Sequence, residues 1–452
     1  MTRPLRLLLI SYYSPPAGGP GVQRVEMLLS HPAPGVEVTL LTAAVEDYAA
    51  FTPLHAHLDP SRAAPAGDVH RVPANPPERL FHFLTSSRLH GAIRWLYVPD
   101  VARSWARRVV FFAADLHART PFDAIFSTAP PFSAALAGRD AARRLRLPWV
   151  SDLRDLWTGY LLGAWPSRFH FEREEALERS VLREAALTVM VTPGSRAWML
   201  RRHPFLAPDR IVSVTNGYSA PDFSAGRPLA SGRFVIVHTG SLFAPNEPSP
   251  LRRFLRGGSF RSRRADPATH SLVPLLDAME RVADARIELR HLGPPLDGAS
   301  AARLARSPLR DQVRILGYRP HAEALSELLR AYAAYLCLAT ALDETHNELV
   351  PQKTYEYLGA RRPVLAPIQP GDARDFLTAA GLGLCTAPAD PAALADSVRG
   401  LLRAKLDGRP AVSPRDDAIR RFEWSHLADQ LFTLLDRAAS RAHEPQPNVC
   451  VG

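Results

Sequence analysis

Residues 6–30, RLLLISYYSPPAGGPGVQRVEMLLS, join a continuous apolar run to a glycine-rich turn and then to a helix-forming stretch. The same arrangement restarts after a loop at residues 219–232. There RFVIVHTGS, residues 233–241, is predicted to form the first strand of a second domain. Short apolar strands separated by helices are typical of parallel sheets covered on both faces. The two starts therefore predict an α/β protein with two successive doubly wound domains and a ligand cleft between them.

Further apolar runs follow each start, at spacings that leave room for a helix between them. They occupy residues 36–43, 123–128, 148–155, 186–192 and 211–217 in the first half, and 286–293, 312–318, 333–339, 363–368 and 381–387 in the second. We predict a Rossmann-like domain at 1–220, a linker at 221–232, a second Rossmann-like domain at 233–412, helices at 413–441 that cross back to the first domain, and a disordered tail at 442–452. The Pro/Arg/Gly-rich stretch 244–270 is expected to be largely a surface loop.

The chain is basic, with a formal net charge of +10 and a sequence pI of about 9.9. Its cations are dispersed arginines rather than a basic block, and this pattern does not predict a nucleic-acid partner. A preference for phosphorylated substrates or for an anionic membrane surface stays open. The basic, aromatic stretch 94–118 fits peripheral membrane contact, and the alternative is an ordinary helix that packs Trp105, Val109 and Phe112 inward.

Cysteine and histidine spacing gives no sign of a disulfide framework or a metal site. Cys337, Cys385 and Cys450 are far apart and form no CxxC pair, which fits a reducing cytosol. The histidines show no HExxH or paired-ligand spacing, so we expect no metal. No apolar run reaches the roughly 18 residues that a membrane-spanning helix needs. We expect a cytoplasmic protein, with peripheral contact at the inner face of the plasma membrane left open.

Residues 348–366, ELVPQKTYEYLGARRPVLA, carry the strongest functional signal. Pro351 predicts that a helix begins near it, so Glu348 lies in the preceding loop and Glu356 in the second helical turn. Both carboxylates can then face one crevice at a helix N-terminus, a place that attracts phosphate. Lys353, one of only two lysines in the chain, adds a compact positive charge for the same anion. The alternative is a pair of surface glutamates on either side of a solvated lysine.

This stretch resembles the E-x7-E segment of the retaining nucleotide-sugar glycosyltransferases of the GT-B type, family four. Other stretches agree with the family in order and spacing, and the likeness is strongest in the branch that builds bacterial exopolysaccharide and lipopolysaccharide. They are YYSPPAGGPGVQRV (12–25), FSTAPPFSAAL (126–136), PWVSDLRDLW (148–157), VTNGYSAPDF (214–223) and VHTGSL (237–242). The resemblance covers nearly the whole chain and implies a GT-B fold, with an acceptor-side first domain and a second domain that binds the nucleotide sugar.

The resemblance also implies roles in donor binding. Glu348 would lie near the transferred sugar and Glu356 would hold the ribose, while Gly18 and Gly19 would let the backbone approach the donor. Members commonly place an arginine and a lysine after the first strand of the second domain, but Ser241 and Asn246 stand there in this chain. We therefore expect the backbone of Gly240 and Ser241, the side chain of Lys353, and Arg252 or Arg253 to neutralise the diphosphate.

The DLRD segment replaces the histidine that many members place near the sugar. Asp152, Arg154 and Asp155 are accordingly candidates for sugar or acceptor contact, with Asp155 as the base-like group. The alternative is a buried Arg–Asp pair that braces a loop.

The implied reaction is transfer of a sugar from a nucleotide sugar to a saccharide acceptor, lipid-linked or soluble, with retention of configuration. No covalent enzyme intermediate, metal or other cofactor is required. Two alternatives stay open: a sugar-nucleotide 2-epimerase of the same fold, for which His346 is the nearest histidine to the glutamate pair, and a non-catalytic transferase-like partner subunit.

Overall fold

The computed structural model describes residues 3–47, 59, 62, 67–73, 94–224, 232–242, 260, 264–388 and 390–443. Its first half forms a seven-stranded parallel sheet with the strand order β3-β2-β1-β4-β5-β6-β7. The strands are β1 (Leu5–Ser11), β2 (Val36–Ala43), β3 (Asp68–Val72), β4 (Ala124–Ala129), β5 (Trp149–Leu153), β6 (Leu187–Met190) and β7 (Ile211–Ser213). The strand order reverses between β1 and β4, which is where ligands bind in sheets of this kind.

The second half forms a six-stranded parallel sheet with the order β11-β10-β8-β12-β14-β15, and a separate antiparallel pair of β9 with β13. In chain order the strands are β8 (Phe234–Thr239), β9 (Ala265–Asp266), β10 (Ile287–Leu292), β11 (Val313–Gly317), β12 (Ala333–Tyr335), β13 (Thr340–Ala341), β14 (Val364–Pro367) and β15 (Gly383–Thr386). Two Rossmann-like sheets are therefore present, as predicted.

Helices cover both faces of each sheet. In the described part of the first half they include α1 (Pro20–Ser30), α2 (Arg103–Arg119), α3 (Ser133–Leu145), α4 (Arg168–Glu184) and α5 (Pro193–Arg202). In the second half they are α6 (Val273–Val282), α7 (Gly298–Ala305), α8 (His321–Arg330), α9 (Gln352–Ala360), α10 (Asp372–Ala379), α11 (Pro391–Leu406), α12 (Asp416–Arg420) and α13 (Trp424–His443).

Strand alternation explains why each sheet has a core on either side. Leu8 and Ile10 enter one hydrophobic cluster, whereas Leu7 and Leu9 enter another, because successive side chains of a strand point to opposite faces. Leu427 and Leu431 of α13 belong to the same cluster as Leu7 and Leu9. The last helix therefore packs on the first sheet although it follows the second sheet in sequence.

The stretch 244–270 differs in part from the predicted loop. Residues 265–266 form β9, and residues 267–269 form a short helical turn ahead of α6. Most of the remainder, including Asn246, Arg252 and Arg253, lies outside the described residues, as does the tail beyond residue 443.

Candidate functional site between the two sheets

The helix after Glu348 begins where the proline predicts. Pro351 is the N-cap residue of α9, so Glu348 lies in the preceding loop and Glu356 in the second turn. The loop is held by Asn347, whose amide nitrogen donates to the Ala339 carbonyl at 2.9 Å and whose side-chain oxygen accepts from the Leu349 N–H at 3.0 Å. The position of Glu348 is therefore fixed by its neighbour.

Glu348 is 8% exposed. Its carbonyl accepts a hydrogen bond from the Thr192 hydroxyl at 3.3 Å, across the boundary between the two sheets. Burial raises the pKa of the Glu348 carboxyl, and the charges of Glu344 and Asp372 add to the increase. A backbone N–H and then the positive charge of Arg264 partly oppose it. A buried carboxylate with one cation nearby is suited to stabilising positive charge on a ligand.

Glu356 also lies at this boundary. Its Oε1 accepts from Gln23 Nε2 of the first domain at 3.2 Å and from His321 Nε2 of the second at 3.0 Å. Burial alone would raise the pKa of Glu356, but the hydrogen bond and charge of His321 and the Gln23 donor outweigh burial, so the pKa lies below its usual range. Glu356 is therefore a charged acceptor, as a ribose-binding carboxylate requires.

Lys353 lies between these carboxylates on the first turn of α9. Its Nζ is 2.8 Å from His238 Nε2, at the end of β8. Burial lowers the pKa of the Lys353 ammonium, whereas nearby Cys337 and Glu356 partly oppose this effect. No carboxylate forms an ion pair with Lys353 within the described part of the chain. The ammonium therefore has hydrogen-bonding capacity left for an anionic ligand.

The predicted glycines lie directly before α1 and at the end of β8. Gly19 has a φ of 86° and precedes α1, which has no side-chain cap, and Gly240 has a φ of 94°. Both values favour glycine. A Cβ at Gly240 would lie 3.9 Å from Lys353 Nζ. Gly18 is buried beside Gly19, and Ser241 is partly exposed beyond β8.

The prediction that the Gly240 backbone helps to bind the diphosphate is wrong for its N–H group. The Gly240 N–H donates to the Leu292 carbonyl at 2.7 Å, where it continues the pairing of β8 with β10. It is therefore not available to a phosphate. What Gly240 contributes next to Lys353 is the left-handed turn and the absence of a side chain.

Two of the DLRD residues are structural. Asp152 is 0% exposed, and its Oδ2 accepts from the Thr128 hydroxyl at 2.6 Å and pairs with Arg24 Nε at 3.3 Å. Arg154 is 7% exposed, and its guanidinium donates to the carbonyls of Gly21, Ala129 and Pro130. This arrangement is the alternative noted from the sequence, in which the segment braces a loop. It corrects the prediction that Asp152 and Arg154 contact the sugar or the acceptor, because both side chains are buried. Asp152 Oδ1 has no hydrogen-bond partner, but it is buried as well.

Asp155 differs from its neighbours in being partly exposed. Burial raises the pKa of this carboxyl to about 6, and the charge of Arg154 only partly offsets the effect. A carboxyl in this range can take up a proton near neutral pH.

Several residues of the site have no local sequence signal. Gln23 and His321 are hydrogen-bonded to Glu356, and His238 is hydrogen-bonded to Lys353. Arg264 donates to Asp343 and to the Gly159 carbonyl of the first domain. Arg264 is the closest of these to a sequence prediction, because Arg252 or Arg253, in the same connection between β8 and the following helix, was expected to neutralise the diphosphate. It lies at the far end of that connection, just before β9.

A contact beside the Glu348 loop joins α5 to α10. The Asp372 carboxylate accepts from the Gly194 N–H at 2.9 Å, and a Cβ at Gly194 would lie 2.4 Å from Asp372 Oδ2. His346, Asp372 and Asp375 bring potential metal-ligand atoms within 4.8 Å of one another. Because Asp372 already accepts from the first turn of α5, this group is explained as a contact between the domains, and the absence of a metal stays a prediction.

Helix α2 packs only part of its aromatic face inward. Trp105 and Val109 are fully buried, but Phe112, expected to point inward, is 38% exposed and Phe111 is 60% exposed. Arg144 covers the ring of Phe111 at 5.2 Å from its centroid. Across the described ranges, the structure has no helix with both the length and the apolar character needed to traverse a bilayer.

Comparison with protein families gives two adjacent matches. The family model described as "Glycosyl transferase 4-like domain" matches residues 18–217, and the one described as "Glycosyl transferases group 1" matches residues 262–404. A search of curated proteins gave no significant match.

Solved structures similar to this chain include the following three. A sucrose-phosphate synthase from Thermosynechococcus elongatus has a TM-score of 0.61 and 16% identity, and the match covers 97% of this chain and 100% of that one. The Anabaena protein HepE in complex with UDP-glucose has a TM-score of 0.58 and 15% identity, with coverages of 96% and 100%. The UDP-GlcNAc 2-epimerase from Methanocaldococcus jannaschii has a TM-score of 0.52 and 11% identity, with coverages of 96% and 100%. At these identities the likeness shows the fold alone. It confirms the predicted GT-B arrangement of two Rossmann-like domains that face a central cleft.

Proposed function

The chain belongs to the family-four glycosyltransferases of the GT-B type, and from that premise we propose that it transfers a sugar from a nucleotide-sugar donor to a saccharide acceptor with retention of configuration. One observation carries this proposal. The Glu348 carbonyl and the Glu356 carboxylate each accept a hydrogen bond from the first domain, and Lys353, between them on α9, contacts His238 at the end of β8. This boundary between the two sheets is the crevice in which doubly wound sheets bind nucleotides.

Each of the three residues would bind a different part of the donor. Lys353 and the N-terminus of α9 would hold the diphosphate, and Glu356 would accept from the ribose hydroxyls through Oε2, since Gln23 and His321 both use Oε1. Glu348, aided by Arg264, would lie beside the sugar. Gly18 and Gly19 would allow close approach of the backbone from the first domain, and Ser241 would border the diphosphate.

In the proposed reaction, the bond between the anomeric carbon and the diphosphate oxygen breaks and leaves oxocarbenium character on the sugar. Positive charge at the diphosphate stabilises the leaving group, and the Glu348 carboxylate stabilises the sugar cation. The acceptor hydroxyl forms the new bond on the same face and gives its proton to Asp155. The residues alone supply these roles, so we propose a reaction without metal or other cofactor, which should persist in EDTA.

A pH profile tests Asp155 as the base. Burial raises its pKa to about 6, and a base acts in its deprotonated form. We expect kcat/KM to rise as the pH increases through that value and then to level off. Asp155→Asn should remove this limb and lower kcat/KM by about 100-fold, whereas Asp209→Asn on the surface should not. A limb that survives in Asp155→Asn would exclude Asp155 as its source.

A thermal-shift panel of nucleoside diphosphates, followed by the matching nucleotide sugars, tests the donor class. A ligand that binds only the folded protein raises Tm with its concentration. We expect a shift with at least one nucleoside diphosphate and turnover only when a saccharide acceptor is added. A panel without any shift would contradict the proposal and favour a non-catalytic partner subunit.

The 2-epimerase is the second candidate, because a 2-epimerase is among the proteins of similar fold. His346 is 3.5 Å from Asp372, beside the Glu348 loop. An epimerase needs no acceptor, so conversion of the donor alone would favour that reaction over transfer.

We also propose a lipid-linked acceptor at the inner membrane face, as in polysaccharide biosynthesis in bacteria. The exposed rings of Phe111 and Phe112 on the arginine-rich helix α2 support this location. The protein should cosediment with vesicles rich in phosphatidylglycerol, and Phe111→Asp should reduce the bound fraction by about threefold or more. Equal binding of the two proteins would contradict a membrane role for this face.

A further inference from the structure

Lys353 is the first member of a buried chain of hydrogen bonds that ends on a backbone carbonyl. Lys353 Nζ lies 2.8 Å from His238 Nε2, and His238 Nδ1 lies 3.0 Å from His291 Nδ1. His291 Nε2 lies 2.9 Å from the carbonyl oxygen of Pro294. Both histidines are 0% exposed, so these contacts do not compete with solvent.

The carbonyl at the end fixes the direction of every bond. A carbonyl oxygen only accepts, so His291 carries its proton on Nε2 and its Nδ1 accepts. His238 must then donate from Nδ1, which leaves its Nε2 as the acceptor for Lys353. Burial first, and then the charge of Lys353, hold the pKa of His238 well below its usual range, which agrees with two neutral rings.

The opposite direction is unfavourable. If Lys353 were neutral and accepted from His238, His291 would have to donate from Nδ1. Its Nε2 lone pair would then face the lone pairs of the Pro294 carbonyl, in a site that water does not reach.

The turn that supplies the Pro294 carbonyl requires a glycine at residue 293. Gly293, before Pro294, has a φ of 158°, and a Cβ there would lie 2.3 Å from the Gly240 carbonyl oxygen. The end of β10 therefore packs directly against the glycine turn beside Lys353. The sequence between β10 and α7 thus sets the position of the last acceptor.

The other titratable groups around the lysine are compatible with this arrangement. Cys337 Sγ lies 4.0 Å from His238 Nε2, and burial raises the pKa of the thiol to about 11, so the thiol is neutral. The single lone pair of His238 Nε2 is used by the much closer Lys353. Burial lowers the pKa of His270 to about 3, so that ring is also neutral. Glu356 is the nearby carboxylate that favours the charged lysine.

We propose that His238 and His291 are positioning residues that hold Lys353 as a hydrogen-bond donor aimed at the diphosphate of the donor. This inference rests on the proposed function, because it assigns the ammonium to that anion. His291 acts through His238 and Lys353 and touches no substrate. The chain explains how the ammonium keeps one orientation without a carboxylate partner, which would compete with a phosphate for the same charge.

A double-mutant cycle tests the proposal, with affinity for the nucleoside diphosphate that gives the largest thermal shift as the readout. His291→Phe removes the acceptor for His238 and should weaken that affinity by about tenfold and raise donor KM more than it lowers kcat. In a Lys353→Met background, His291→Phe should change affinity by less than about twofold, because the residue through which it acts is gone.

Two further variants separate positioning from folding. His291→Gln keeps an amide that can accept from His238 and donate to Pro294, and it should retain affinity within about threefold. His203→Phe removes an equally buried histidine of the first domain and should leave affinity unchanged. If His291→Phe does not fold, His291→Leu takes its place with the same expectation, because leucine has no group that can accept from His238.

The outcomes are distinguishable. Equal loss of affinity in the presence and absence of Lys353, or failure of glutamine to restore it, would overturn the positioning role and leave the proposed function intact. A wild-type protein that binds no nucleoside diphosphate would overturn the proposed function, and this inference with it.

Discussion

Glu348→Gln is expected to lower kcat by about 100- to 1000-fold while nucleoside diphosphate affinity stays within about threefold. The carboxylate is 8% exposed, and the loop that carries it is held by Asn347, so the amide should occupy the same position. It would lack the negative charge that stabilises an oxocarbenium-like sugar. The loss should therefore appear in the chemical step rather than in binding of the leaving group. Measurement of kcat together with calorimetric Kd for the nucleoside diphosphate checks both parts.

Glu172→Gln is the control, because Glu172 is exposed on α4 and pairs with Arg168 of the same helix at 2.6 Å. It should retain kcat within about threefold, as surface ion pairs contribute little. A kcat for Glu348→Gln equal to that of the control would remove Glu348 from the reaction. Loss of nucleotide affinity in parallel with kcat would instead place this carboxylate at the nucleotide.

Lys353→Met should weaken nucleoside diphosphate affinity by about 100-fold, because it removes the ammonium that faces the anion but keeps a side chain of similar length. The same substitution should leave Tm of the free protein unchanged or higher. Burial lowers the pKa of Lys353, and a partly buried charge without a carboxylate partner costs free energy in the folded state. Thermal denaturation with and without the nucleotide measures both effects in one experiment.

The chain contains a natural control for this test. Lys405 in α11 is the other lysine of the sequence, and its ammonium contacts the Arg233 carbonyl, away from the glutamate pair. Lys405→Met should retain the nucleotide-induced increase of Tm. An unchanged shift in Lys353→Met would show that the diphosphate is neutralised elsewhere, with Arg264 as the next cation to test.

Much of the fold follows from the sequence, because its central strands are continuous apolar runs. All strands of both large sheets except β3 were predicted. Asp68, His70 and Arg71 make β3 polar, and only Val72 is fully buried at this edge of the sheet. An edge strand contacts one neighbour and needs little apolar sequence, so its pattern is weak.

The candidate site was predictable where one local stretch carries it. Pro351 and the spacing of Glu348 and Glu356 gave the start of α9 and the placement of both carboxylates. The partners of these residues were not predictable, since Gln23 reaches Glu356 from the other domain and no local pattern links them. Prediction from types of residue alone failed for Asp152, whose carboxylate is buried against Arg24 instead of facing the cleft.

We propose that the cleft between the two sheets binds the activating diphosphate of a nucleotide sugar, with residues 348 and 356 lining it. A crystal structure with the nucleoside diphosphate that gives the largest thermal shift tests it most directly. We predict phosphate oxygens within about 3 Å of Lys353 Nζ and ribose hydroxyls at the same distance from Glu356. A nucleotide bound outside this cleft, with Lys353 and Glu356 untouched, would contradict the account.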